Sequence, residues 1–513
     1  MNRKLFHIIL CALICVLVSC REEPDNVFSY AYDDNLVYGK AKNSYGEKFK
    51  VLWSALNANY ALWDYEEDQF GLNWDAVYDE YLPKFQEMDS LQDGVSDSDL
   101  EWILEKVVGP LHDGHLAIQL YNHKTKHFVG YSPSAERNAT RLKNEGASSF
   151  EVDLQYYRND SEILVSKEMS TKTSYLLSAS KNAVNSRISA ELYKYQQQGT
   201  LTDLDSFYVA GLEALQAALK KASSVSKFNQ LVAQYAYLGL EELKTIDSAF
   251  SSNGMTARYA LFEDNIAYLQ FSDFSWTVYL NSGNRSATFG SISDQGKEYV
   301  DMMVDVWKSW FDTIQVLHQN GQLGGVIIDV RTNGGGFVND YQYVLGALLP
   351  DGGHEVCYSR FKRGAGRYDY SPLMPMVMAT YSKEHEVIDD KPIVVLCNSR
   401  SVSMSEMTSR GVKKLTNGTL IGTRTYGGLS ALTTIEGYSE EYAGTVGVKN
   451  STPVYCYIPS MATFDIDADG NTIQLEGIGI TPNIIVELDP DLKKNQGRDT
   501  QLERALQFIR TGN

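Results

Sequence analysis

The chain is short of three things, and each shortage removes a class of explanation. Cysteine is scarce: of 6 in 513 residues, only Cys357, Cys397 and Cys456 lie beyond position 20. An odd number without paired metal-ligand spacing predicts neither a disulfide framework nor a zinc site, and Cys397 and Cys456 sit in apolar runs where a thiol packs as a small hydrophobe. Positive charge is short too. The formal charge is −19, or −21 once Arg3 and Lys4 are discounted; that field repels phosphate backbones and acidic membranes and argues against nucleic acid as a partner. Long apolar runs are the third shortage, since the one at the start, residues 5–18, is too short for a comfortable membrane span.

What stands at that end has the form of an export signal. Arg3 and Lys4 precede the apolar run, which closes on Leu17-Val18-Ser19-Cys20 and is stopped by Arg21-Glu22-Glu23-Pro24. This is the n-region and h-region of a secretory leader, and its cleavage end resembles a bacterial lipobox. The expectation is removal of residues 1–19, lipidation of Cys20, and a protein held by that lipid in the cell envelope, on either side of an outer membrane. The whole chain is 43% hydrophobic and 12% aromatic, and its 513 residues are enough for two or three folded domains.

Spacing gives the organisation. After a polar linker over 20–45, Phe49, Leu52, Trp53, Leu56, Tyr60 and Trp63 recur at helical intervals. A second helix is predicted over 97–108, ended by Gly109-Pro110, and it is followed by the turn Leu111-His112-Asp113-Gly114-His115 and an alternating, strand-like stretch. These define an N-terminal helical domain over 46–130. Residues 131–256 read as a mostly helical insertion. From 257 to 490 short apolar runs alternate with helices: strands near 265–271, 325–330, 393–397 and 420–422, and helices near 299–317, 340–349 and after Ser403. Residues 491–513 read as a C-terminal helix. Such alternation predicts a largely parallel α/β sheet covered by helices, with functional residues where strands end and helices begin.

Two such junctions carry candidate chemistry. Asn333-Gly334-Gly335-Gly336 follows the strand ending at Val330, and glycines there leave amide donors exposed and let a substrate backbone come close. As a phosphate loop it lacks a following Gly-Lys-Ser and the G-x-G-x-x-G spacing, so an anion hole for a developing oxyanion fits better. Ser401-Val402-Ser403-Met404-Ser405-Glu406 follows the strand 393–397. Its serines can cap a helix, or one can be a nucleophile, which then needs a base. His115 is the candidate base.

The order of Asp113-Gly114-His115, the 329–336 segment, the 401–406 segment, Gly422-Thr423-Arg424-Thr425-Tyr426-Gly427-Gly428 and Glu476-Gly477-Ile478-Gly479-Ile480 resembles the tail-specific (C-terminal processing) and tricorn-type serine peptidase family. The resemblance implies a crotonase/ClpP-like spiral α/β core and no metal or cofactor. It assigns Ser403 as nucleophile, His115 as general base, Glu476 as the carboxylate orienting the histidine, and Met404 with Gly335 as oxyanion donors. Two departures accompany it. Gly428 stands where Ser/Lys members carry lysine, and Gly114 where tricorn-type members often carry serine. A PDZ module is not legible between residues 130 and 255. The implied function is a serine endopeptidase acting on polypeptides; a non-catalytic peptide- or ligand-binding relative and a glycan-binding lipoprotein are the alternatives.

Overall fold

The computed structural model describes residues 40–133, 175–222, 257–281, 294–431, 444–487 and 499–512, apart from 93, 332, 364, 365 and 468, together with 231, 235 and 255. The expected leader, Cys20 and most of the linker lie outside the described residues. The chain forms two compact units, one of residues 1–134, 360–372 and 430–462, the other of 135–359, 373–429 and 463–513. The linear divisions expected from sequence are thus crossed twice: two stretches from within 257–490 fold into the first unit.

In the first unit four helices, Tyr45–Asn59, Trp63–Phe70, Trp74–Ser90 and Asp97–Val108, accompany a four-stranded antiparallel sheet. Ser96 and Asp99 close a reciprocal capping box on the last helix, and its apolar stripe Leu100, Ile103, Leu104 and Val107 is buried. In the sheet, strand Ala117–Asn122 lies between His127–Tyr131 and Val454–Tyr457, with Ile118 opposite Cys456 and Leu120 opposite Val454. Segment 360–372 is fastened by charge: Arg360 pairs with Asp64, and Arg367 reaches both Asn57 and Asp75.

The second unit holds a six-stranded sheet. Its strands Ala257–Phe262, Ile266–Phe271, Gly325–Asp329, Ile393–Cys397, Gly418–Gly422 and Ile484–Ile485 follow one another in space in chain order, parallel except for the first pair. A chain that always adds its next strand to the same edge winds in one direction, as the expected α/β core requires. The central strands Gly325–Asp329 and Ile393–Cys397 are buried at every position, as continuous apolar runs covered on both faces must be. Helix Asp294–Gln319 packs on the first two strands through residues such as Met303, Trp310 and Ile314, and the C-terminal helix Thr500–Thr511 inserts Leu502, Ala505 and Leu506 into the core formed by Tyr268, Ile327, Val394 and Ile421. Helices Tyr175–Gln196 and Asp203–Lys220 pair through Val184, Ile188, Leu212, Leu215 and Leu219.

One element differs from expectation. The helix near 340–349 is two short 3-10 turns, Val338–Tyr343 and Leu345–Leu348, broken at Val344. Tertiary contacts override local propensity there. Asp340 Oδ1 accepts from the amide and hydroxyl of Thr277, Tyr341 is bonded to His354, and Gly346 lies so close to Ala379 that a Cβ would sit 2.7 Å from its carbonyl oxygen.

Candidate active site

The strand Ile393–Cys397 delivers the chain to Asn398, and the helix Met404–Lys413 begins six residues later. Between them the three serines divide their work. Ser401 Oγ donates to Val330 O at 2.9 Å and accepts from Asn398 N at 3.0 Å; Ser405 Oγ donates to Asn333 at 2.8 Å. Both are completely buried. Ser403 is the one left partly exposed, and it holds φ 57° and ψ −115° as N-cap of the helix. A non-glycine residue there costs about 1–3 kcal/mol and persists only where its surroundings dictate it.

The surroundings are a buried carboxylate and a glycine loop. Glu406, fully buried, accepts from Ser403 N at 3.2 Å, Gly428 N at 2.8 Å, Gly427 N at 2.8 Å and Thr425 Oγ1 at 2.5 Å. Burial pushes its pKa up, and these four donors pull against that rise. Ser403 N also donates to Gly428 O at 3.0 Å. Gly428 therefore stands where a lysine base was missed, and its backbone braces the serine turn instead. Lys413 stands in the last turn of the serine helix and donates to Thr481 O.

Gly335 has φ +92°, and a Cβ on it would lie 2.6 Å from Ser403 Cβ and 3.1 Å from Met404 N. Only glycine lets the loop lie flat against the serine. One assignment needs correction. The Gly335 amide expected to donate to an oxyanion is engaged by Asn333 Oδ1 at 2.9 Å. Among the described residues the amides of Met404, Gly334 and Gly336 have no acceptor, so Met404 N is available and the loop's available donors flank Gly335. Glu476 is fully buried, and its Oε2 accepts from Leu429 N at 2.6 Å, next to the Gly427-Gly428 turn.

His115 belongs to the first unit. Asp113 Oδ1 accepts from the amides of His115 and Leu116, an Asx turn that aims the backbone. The imidazole is partly buried, its Nδ1 has no hydrogen-bond partner among the described residues, and burial pushes its pKa down to about 4. His112, three positions earlier, is held differently: Nδ1 meets the buried Glu66 at 2.7 Å and its ring stacks on Phe70. The three later cysteines are free and buried, with thiol pKa values raised by burial.

Glu406 and Asn333 stand within the motifs read from the sequence, but neither was given a role there. The signal for Glu406 was present as S-x-x-E, the spacing of a helix capping box.

A serine on a strained strand-to-helix turn has a glycine backbone pressed against it and free amides beside it, the parts from which a serine hydrolase builds a nucleophile site. Residues 265–486 match the model of peptidase family S41. Over 181 residues it is 32% identical to a carboxy-terminal-processing protease of Bartonella bacilliformis, covering 35% of each chain. Over 185 residues it is 30% identical to the tricorn protease of Thermoplasma volcanium, covering 36% of this chain and 14% of that one. The chain thus matches about a third of the length of the first relative and about a seventh of the second. The solved structure of a photosystem II D1 C-terminal processing protease aligns with a TM-score of 0.28 at 17% identity, over 47% of this chain and 50% of that one.

Proposed function

We propose that the protein is a serine endopeptidase of the bacterial cell envelope, acting on polypeptides and anchored by a lipid on Cys20. Ser403 Oγ attacks the scissile carbonyl while His115 takes its proton and later gives it to the leaving amine. Met404 N–H, at the positive end of the serine helix, and an amide of the Gly334-Gly335-Gly336 loop hold the oxyanion. Glu476 orients the histidine. Burial favours the uncharged imidazole, the form a general base needs.

The observation that carries the reading is the conformation of Ser403: its neighbours Ser401 and Ser405 are spent on structure, while it alone is held at positive φ with partial exposure. The protein lacking residues 1–20 is expected to react with a fluorophosphonate probe, and Ser403→Ala to abolish that labelling. No labelling of the folded protein would overturn the reading. Fatty-acid labelling of the full chain, lost in Cys20→Ala, tests the anchor. One observation favours a second reading, a non-catalytic peptide binder: Gly428 supplies no lysine base, so peptide binding without turnover would select it.

A further inference from the structure

We infer that Asp499 and Gln501, at the start of the C-terminal helix, are positioning residues for the nucleophile: through Arg331 they fix the turn from which both the glycine loop and the serine turn are hung. The inference rests on the proposed role of Ser403 and concerns residues 168 and 170 positions away from Arg331 in sequence.

Arg331 lies just beyond the end of strand Gly325–Asp329 and is completely buried. All five of its guanidinium N–H directions are taken: Nε and Nη2 donate to the Asp329 carboxylate at 2.9 and 2.7 Å, Nη1 and Nη2 to the Asp499 carboxylate at 2.9 and 2.8 Å, and Nη1 to Gln501 Oε1 at 3.0 Å. Tyr268 supplies the further donor on Asp329 at 2.8 Å. Such a fork fixes the plane of the guanidinium as well as its position. The residues flanking it then reach the nucleophile in short steps. Val330 O accepts from Ser401 Oγ, Asn333 O accepts from Val402 N at 3.1 Å, and Asn333 Oδ1 accepts from both Gly335 N and Ser405 Oγ. A shift of Arg331 is therefore passed to both sides of Ser403 by hydrogen bonds rather than absorbed by soft packing.

The informative variant is Asp499→Asn. Asp499 also caps the C-terminal helix, with Oδ1 accepting from Leu502 N at 2.9 Å. Asparagine caps equally well and keeps its carbonyl there, which turns its NH2 toward Arg331 Nη2, donor against donor. Leu502→Ala, in the same helix and the same core, is the control: it weakens helix docking without touching the guanidinium. The expected result is that Asp499→Asn lowers kcat and the rate of fluorophosphonate reaction by about tenfold to a hundredfold with KM within about twofold, and speeds amide hydrogen exchange over residues 333–336. Leu502→Ala should lower the melting temperature more and the rates less than about twofold. Wild-type rates and exchange in Asp499→Asn, or an equal loss of rate in Leu502→Ala, overturn the inference. If the wild-type protein is not labelled at all, the peptidase reading fails, and the exchange of residues 333–336 in the two variants still decides whether Asp499 sets the turn.

Discussion

The serine turn and the histidine turn are built on opposite plans. Around Ser403 the neighbouring side chains are committed: two buried serines and a buried glutamate taking four donors, with Gly335 leaving no room for a Cβ. The serine's strained backbone follows from its own unit. Around His115 only the backbone is fixed, by Asp113 Oδ1 and by Ser132 Oγ donating to Leu116 O at 2.8 Å, while ring nitrogen Nδ1 meets no partner among the described residues. A nucleophile needs one geometry in every state. In the proposed mechanism, a base that must accept and return a proton needs orientation only when the reaction is assembled, and the looser hold on the His115 ring suits that role.

The sharpest way to break this contrast is to remove each proposed reactive group. Ser403→Ala should reduce peptide turnover by about 10⁴-fold to 10⁶-fold, and His115→Ala by about 10²-fold to 10⁴-fold. Progress curves on an unstructured protein substrate measure both. Turnover surviving in His115→Ala would mean that a different group activates the serine.

The contrast also explains what could be read from the chain. The strands 325–329 and 393–397 and the helix 97–108 were legible because apolar runs, periodicity and a capping box all act locally, and the serine turn was legible because its partners cluster in a few short segments. The helix expected near 340–349 was not, because Thr277, His354 and Ala379 decide its shape from far along the chain. The two excursions into the first unit, 360–372 and 430–462, were hidden for the same reason: pairings such as Arg367 with Asp75 leave no periodic trace. The engagement of Gly335 N by Asn333 is likewise a matter of side-chain rotation that residue types alone do not specify.

A weaker blow should fall on the frame of the serine. Glu406→Gln keeps size but brings an NH2 among four donors, leaving at least one buried donor unsatisfied at about 1–3 kcal/mol. Its expected signature is a lower melting temperature together with a loss of about tenfold to a hundredfold in turnover, since Ser403 N is one of the donors released. If calorimetry shows unchanged stability, Glu406 does not frame the turn.

Acid should act first on the looser side. His115 has its pKa pushed from 6.5 to about 4, so the folded protein binds fewer protons than the unfolded chain between those values. Stability from this group is whole above the unfolded value, falls as pH drops toward 4, and then stops changing. Turnover should hold down to about pH 5 and fall through the folded pKa as the base becomes charged. A rate profile bending near 6.5 instead would mean that burial does not control this imidazole.

The smallest effects should come from a matched pair of structural substitutions, one on each turn. Ser405→Ala removes a hydroxyl whose partner, Asn333, keeps its backbone bond to Val402 and its side-chain bond to Gly335. The hydroxyl's bonds to Asn333 are lost inside a fully buried site, and the cost should be about 1–2 kcal/mol of stability, with rate nearly retained. Asp113→Asn can turn its carbonyl toward the amides of His115 and Leu116 and so keep the Asx turn; its cost should stay below about 1 kcal/mol. Urea melts of the two variants, set against the wild type, compare them directly. A larger loss from Asp113→Asn than from Ser405→Ala would reverse the contrast, because it would make the histidine turn the more tightly determined of the two.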